Sequence, residues 1–318
     1  MTHDIPNAPG ASRAHSPAEI ARYHEMGWWA DDSLSDHIAR HAATRPEHVA
    51  FISGDTRFTW ADYDQCARQL AAALLELQLP RGARVAIWLP DGPTVHVAFV
   101  AAELAGLVAV GVGARAGARE LQHLLARTNA NALITHGEHR GIDTAALRQR
   151  LASEGAAALR HHVVVPDYGQ DRSGAVIIDG AEVPPSLPDP AAIRERRFHP
   201  DEFSMINSTS GTTGLPKCVM HNQNRWWYFH QRAVRAANLS PDDVFCSVVP
   251  APFGFGLWTS HYTPAYLGAP CLVMPRFDAA ELIARLAAER VTVLSCVSTQ
   301  FIMMLASAAL DDHDLSSL

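Results

Sequence analysis

Eleven residues, Asn207-Ser-Thr-Ser-Gly-Thr-Thr-Gly-Leu-Pro-Lys217, constrain this chain more than any other stretch, because they set a loop of small residues between two apolar segments. The loop carries the hydroxyls of Ser208, Thr209, Ser210, Thr212 and Thr213, the glycines Gly211 and Gly214, and a single cation, Lys217. Glycine lets the backbone take positive φ and bring its N–H groups onto an anion. Hydroxyls and amides then donate to phosphate oxygens, and lysine supplies a point charge. Phe203-Ser-Met-Ile reads as a short strand entering the loop, and Val219-Met220 as apolar residues leaving it. The expectation is a phosphate-holding loop between two strands, built from Thr209, Ser210, Gly211, Thr212, Thr213, Gly214 and Lys217.

Two other readings of the loop stand behind this one, a linker that is weaker and a P-loop that fails. A flexible Gly/Ser/Thr linker needs no Pro-Lys pair followed at once by apolar residues. A P-loop requires Gly-Lys-Ser/Thr opening a helix. Here Pro216 precedes Lys217, and Cys218-Val219 follow it. The ordered run Ser208 to Lys217 resembles the signature loop of the adenylate-forming enzymes, a family that includes acyl- and aryl-CoA synthetases, luciferase and adenylation domains.

Other segments are similar to that family. Phe58-Thr-Trp-Ala-Asp-Tyr63 resembles its opening strand and helix; on physical grounds Thr59 is a good N-cap, with Asp62 as its capping-box partner. Arg84–Leu89 reads as a buried strand, Pro90–Pro93 as a turn, Thr94–Ala105 as a helix with Val95, Ala98, Phe99 and Ala102 on one face, and Gly106–Val110 as the next strand. Ala251-Pro-Phe-Gly-Phe-Gly-Leu-Trp258 resembles the motif in which a His or an aromatic stands between acyl pocket and CoA tunnel, here Phe253. Pro275-Arg-Phe-Asp278 resembles a further element, and Asp314–Leu318 the lead into the family's next strand.

What the resemblance implies is concrete. The fold is α/β, two lobes with mostly parallel sheets flanked by helices, as in the large N-terminal domain of the family and incomplete at the C-terminus, where the adenine loop, the ribose-binding Asp and the lid are missing. The reaction is AMP-dependent acid–CoA ligation: carboxylate and ATP give acyl-AMP and pyrophosphate, and the acyl group passes to CoA. Lys217 is the catalytic cation, Thr209 also faces Mg²⁺, and Phe253, Gly256 and Trp258 border an apolar pocket suited to an aromatic, alicyclic or medium-chain acid. Two anions must meet, so positioning and charge stabilisation dominate. Each charge-assisted hydrogen bond to phosphate contributes roughly 1.5–3 kcal/mol. Three alternatives stand beside this reading: an adenylation domain that loads a carrier protein, a non-catalytic nucleotide- or partner-binding relative, and a split enzyme with a separately encoded C-terminal half. The resemblance also implies apolar surface left bare and a tendency to aggregate.

Composition narrows the setting. A length of 318 residues suggests two lobes, and 48% hydrophobic with 19% charged residues is an ordinary folded composition. A net charge of −7 argues against nucleic acid as partner. The five cysteines, Cys66, Cys218, Cys246, Cys271 and Cys296, show neither disulfide framework nor zinc spacing. No apolar run reads as a signal or a membrane span, which makes the cytoplasm the expected location. The Pro-, His- and Ala-rich residues 1–30 read as loose, with Gly27-Trp-Trp29 docking, then a first lobe over 31–198 and a second over 199–318. In the second, Trp226, Phe229, His230 and Ala233 share one helical face and read as packing; the pairs His37/His41 and His136/His139 read as satisfied or solvated histidines. Cys218, beside Lys217, reads as a small hydrophobe, not a reactive thiol.

Overall fold

A computed structural model describes residues 15–209 and 214–318. Among these residues the strands form an eight-stranded sheet, a five-stranded sheet and a two-stranded ribbon. The larger sheet runs, in spatial order, Ala181–Val183, Val176–Ile178, His161–Val164, Ala132–Thr135, Arg84–Ile87, Val108–Gly111, Phe203–Ser208, Cys218–Asn222. Its middle pairings are parallel, and antiparallel strands close both edges. The smaller sheet runs Val293–Ser295, Phe245–Ser247, Cys271–Val273, Val49–Ser53, Thr56–Thr59, parallel except for the last hairpin. Helices flank these mostly parallel sheets, as the α/β expectation holds.

Sheet membership does not follow the expected division at 198/199. Phe203–Ser208 and Cys218–Asn222 complete the sheet of the first half, whereas the hairpin Val49–Thr59 joins the sheet of the second. The physical reason is pairing geometry. Met205, Ile206 and Asn207 lie in parallel register with Ala109, Val110 and Gly111, and Phe51 and Ile52 with Cys271 and Leu272. The loop is therefore built on the first half's sheet.

Local chemistry starts the helices where the sequence suggests. Thr59 caps Trp60–Leu75: its hydroxyl accepts from Asp62 N–H at 3.1 Å, and the Asp62 carboxylate accepts from Thr59 N–H at 2.9 Å. Pro93–Leu104 differs from expectation, since all its residues are buried and not one face alone. It lies in the large core shared by both sheets, where a helix must be apolar all round. Its three polar members keep partners: Thr94 Oγ1 accepts from Tyr168 N–H at 2.9 Å, Glu103 accepts from the Ser35 hydroxyl at 2.7 Å, and His96 Nδ1 lies 3.1 Å from His261 Nδ1.

Within the segment expected to be loose over 1–30, residues 15–30 are ordered. A Ser16/Glu19 capping box starts the helix Pro17–Glu25, Trp29 is buried, and Ala30 exchanges two hydrogen bonds of 2.9 Å with the Asn224 side chain. Residues 1–14 lie outside the described residues. Within Gln223–Ala237, Trp226 and His230 are buried but Phe229 is exposed, so the expected packing face is narrower. The four questioned histidines are held. His41 and His136 bond the carbonyls of Ala265 and Val165, His139 that of Ala114, and His37 packs edge-on against Tyr266. All five cysteines are free thiols. The helix Ser298–Leu305 turns Phe301, Ile302, Met303 and Leu305 outward. Among the described residues no helix is long and apolar enough to cross a membrane.

Candidate functional site

Parallel strands deliver their following loops to one edge of a sheet, and ligands bind in the crevice at those carboxyl ends, where strand order reverses. Three neighbours of the larger sheet do this. Arg84–Ile87 leads to Asp91, Val108–Gly111 to Gly113 and Arg115, and Phe203–Ser208 to Thr209. The order reverses at Arg84–Ile87, which has Val108–Gly111 on one side and Ala132–Thr135 on the other. The smaller sheet aims its own carboxyl ends at the same space, with Val248 and Phe253 after Phe245–Ser247 and Gln300 after Val293–Ser295. Between them lies a cavity of about 470 Å³, lined by all of these residues except the strands' interiors. That is room for a small-molecule ligand.

The phosphate-type loop stands at this cavity's rim. Its two ends clasp each other: Thr209 N–H donates to the Lys217 carbonyl at 2.9 Å, and Lys217 N–H donates to the Thr209 hydroxyl at 3.0 Å. The antiparallel pairing of Ser208 with Cys218 continues directly into this clasp. Gly214 has φ 148°, a conformation favouring glycine. Lys217 is exposed and Pro216 buried, with the His123 ring donating to the Pro216 carbonyl at 3.0 Å. Ser210, Gly211, Thr212 and Thr213 lie outside the described residues. Burial raises the Cys218 thiol, which agrees with a packing role and not an activated nucleophile.

The other expected residues separate. Phe253 lines the cavity. Gly256 does not; a Cβ there would stand 2.2 Å from the Pro250 carbonyl oxygen, so its smallness serves backbone packing. Trp258 is half-buried beside Phe229 and Phe255, also away from the cavity. A π-helical stretch, Leu257–Tyr262, lies between Gly254–Gly256 and Thr263–Leu267.

Asp91 is a wall residue that the sequence reading passed over as part of a turn. Its Oδ1 accepts from Ala251 N–H at 2.7 Å, tying the end of one sheet to that of the other. Burial pushes its carboxyl up to about 6, against the opposing pull of that hydrogen bond and of Arg115. No signal in the sequence marks it, because its role comes from Ala251 and the cavity that folding brings to it.

A family model described as AMP-binding enzyme matches residues 38–318. The chain is 33% identical over 278 residues to the 3-[(3aS,4S,7aS)-7a-methyl-1,5-dioxo-octahydro-1H-inden-4-yl]propanoyl:CoA ligase of Mycobacterium tuberculosis, covering 86% of this chain and 53% of that one. It is 26% identical over 285 residues to a salicylyl-CoA synthase / salicylate adenylyltransferase of a Streptomyces species, covering 88% and 51%. In structure it matches an anthranilate CoA ligase in complex with anthranoyl-AMP, with a TM-score of 0.73 at 22% identity over 92% of this chain and 53% of that one, a likeness of fold. The chain thus spans about half the length of the curated relatives it matches. By the match over residues 38–318, with the loop, strands and cavity in the arrangement described, this chain belongs to the AMP-binding enzyme family.

Proposed function

We propose that the protein serves an AMP-forming acid–thiol ligase reaction, in which ATP activates a carboxylic acid as acyl-AMP and CoA accepts the acyl group. The observation that carries this reading is the clasped loop, Thr209 to Lys217, opening on a cavity whose far wall holds Phe253. Lys217, Thr209 and Gly214, with Ser210, Gly211, Thr212 and Thr213, hold the triphosphate. Lys217 offsets the charge that develops as pyrophosphate leaves. The clasp fixes the lysine's backbone before the nucleotide arrives, so little ordering is needed on binding. Phe253 forms the acid's side of the site by contact, and Gly256 and Trp258 support it from outside the cavity through the helix that follows it.

The acid is aromatic or alicyclic in this reading. Support comes from the apolar wall and from the relatives named for a salicylyl and a bicyclic propanoyl group. Mg²⁺ enters with the nucleotide. In this reading Thr209 would contribute one oxygen to an ion carried by the phosphates. Transfer to CoA draws on polypeptide equivalent to the rest of the relatives' length, whether continuous with this chain or separately encoded. The cytoplasm, which supplies ATP and CoA, is the proposed location.

Acid-dependent exchange of pyrophosphate into ATP tests the reading, with a panel of aryl and alicyclic acids. Exchange that is lost in Lys217→Ala supports it. A protein that exchanges with no acid, and binds no acyl-adenylate mimic, would instead be a binding protein.

A further inference from the structure

The wall that faces the acid is fastened at three consecutive residues, and each fastening comes from the larger sheet. Ala251 gives its N–H to the Asp91 carboxylate at 2.7 Å. Pro252 sits over Gly111, where an added Cβ would lie 3.1 Å from the Pro252 Cβ. Phe253 lays its ring over Gly113, where an added Cβ would lie 3.0 Å from Cζ. The turn closes on itself through Phe253 N–H and the Pro250 carbonyl at 3.1 Å. Neither Gly111 nor Gly113 is a glycine that φ demands; φ above +20° is not their conformation. Their missing side chains therefore serve the close approach of the turn. Asp91 is stranger still, because a carboxylate in a cavity wall costs desolvation that a neutral acceptor would avoid.

We infer that Asp91, Gly111 and Gly113 together set how far the Phe253 ring reaches into the cavity, and so the width of the acid that the site accepts. Asp91 is a positioning residue, acting through Ala251; Gly113 is the floor against which the ring rests. The inference builds on the ligase reading, because it assigns Phe253 to the acid's side of the cavity. Nothing in it depends on the loop residues outside the described structure.

The test uses this chain with non-hydrolysable acyl-adenylate mimics whose acyl groups are graded in width, from a single ring to a fused bicycle, and reads Kd by calorimetry. Asp91→Ala releases the turn, and the ratio of Kd between narrow and wide mimics should fall by about tenfold, the scale on which one methylene's worth of pocket space discriminates. Asp91→Asn keeps an acceptor oxygen for Ala251 and should restore most of the ratio. Gly113→Ala moves only the far end of a side chain, so it should fold, and should change the ratio in a way that Phe253→Ala abolishes in the double variant. If Asp91→Ala and Gly113→Ala bind all mimics with unchanged ratios, the inference is wrong while the ligase reading stands. If the unsubstituted protein, supplied with the polypeptide that completes its relatives' length, binds none of the mimics, the ligase reading fails and the inference falls with it.

Discussion

At Thr209 a single hydroxyl fixes the backbone of Lys217, the cation of the proposed reaction: the hydroxyl accepts the Lys217 N–H while the Thr209 N–H meets the Lys217 carbonyl. Removing that oxygen leaves one half of the clasp. A lost hydrogen bond of this kind is worth about 1 kcal/mol, so Thr209→Ala should weaken ATP binding by roughly fivefold and Thr209→Ser should not. Calorimetric titration with Mg-ATP checks this, and equal affinities for the two variants would show that the clasp does not matter. The loop was legible because its chemistry is local: small residues, hydroxyls and one lysine sit side by side in the chain. Asp91 was not legible, since its meaning comes from Ala251, a residue far away in sequence that only folding brings to 2.7 Å.

Helix Pro93–Leu104 shows the same limit one level up. Its existence and ends could be read from Pro93, its apolar content and the glycine at 106, but not its environment. Four apolar residues at helical spacing suggest one buried face; only the two sheets, closing on it from different parts of the chain, bury the rest. That leaves Glu103 inside the core, with burial raising its carboxyl and the Ser35 hydroxyl donating to it at 2.7 Å. Neutralising this side chain in place should cost little, whereas deleting it leaves both a cavity and unpaired hydroxyls. Glu103→Gln is expected to lie within about 1 kcal/mol of the parent and Glu103→Ala to lose about 3 kcal/mol, both read from urea unfolding. A glutamine variant as unstable as the alanine one would mean that the charge itself is required. The capping boxes at Ser16, Ser33 and Thr59, by contrast, are complete within four residues each, which is why Thr59 and Asp62 could be assigned in advance. The π-helical stretch Leu257–Tyr262, which contains Trp258, has no such local signature.

For the molecule as a whole, buried histidines set the response to acid. Burial holds His96 down to about 3 and His41, His221 and His230 to about 4, while their unfolded values lie near ~6.5. Between those limits the unfolded chain binds protons that the folded one refuses, so stability is fully present above pH ~6.5 and falls as pH drops, at roughly 1.4 kcal/mol per pH unit for each such group. Asp91 and Glu103, raised in the fold, oppose this, but they are two carboxyls against these four histidines and the four others that burial also lowers, His37, His139, His162 and His261. The urea midpoint should therefore fall steeply from pH 7 to 5; a flat profile would contradict the burial of these rings. The outward apolar face of Ser298–Leu305 predicts concentration-dependent self-association, which Ile302→Lys with Leu305→Glu should suppress in light scattering. Unchanged scattering would place the association elsewhere. The crossed strands add a constraint in time. Phe51 pairs with Cys271, about 220 positions later, so a chain emerging from the ribosome must carry the hairpin Val49–Thr59 unpaired on one edge until Cys271 has been made. Synthesis order and assembly order differ here, and a pause or a nick near residue 198 would strand one sheet without its hairpin and the other without its loop.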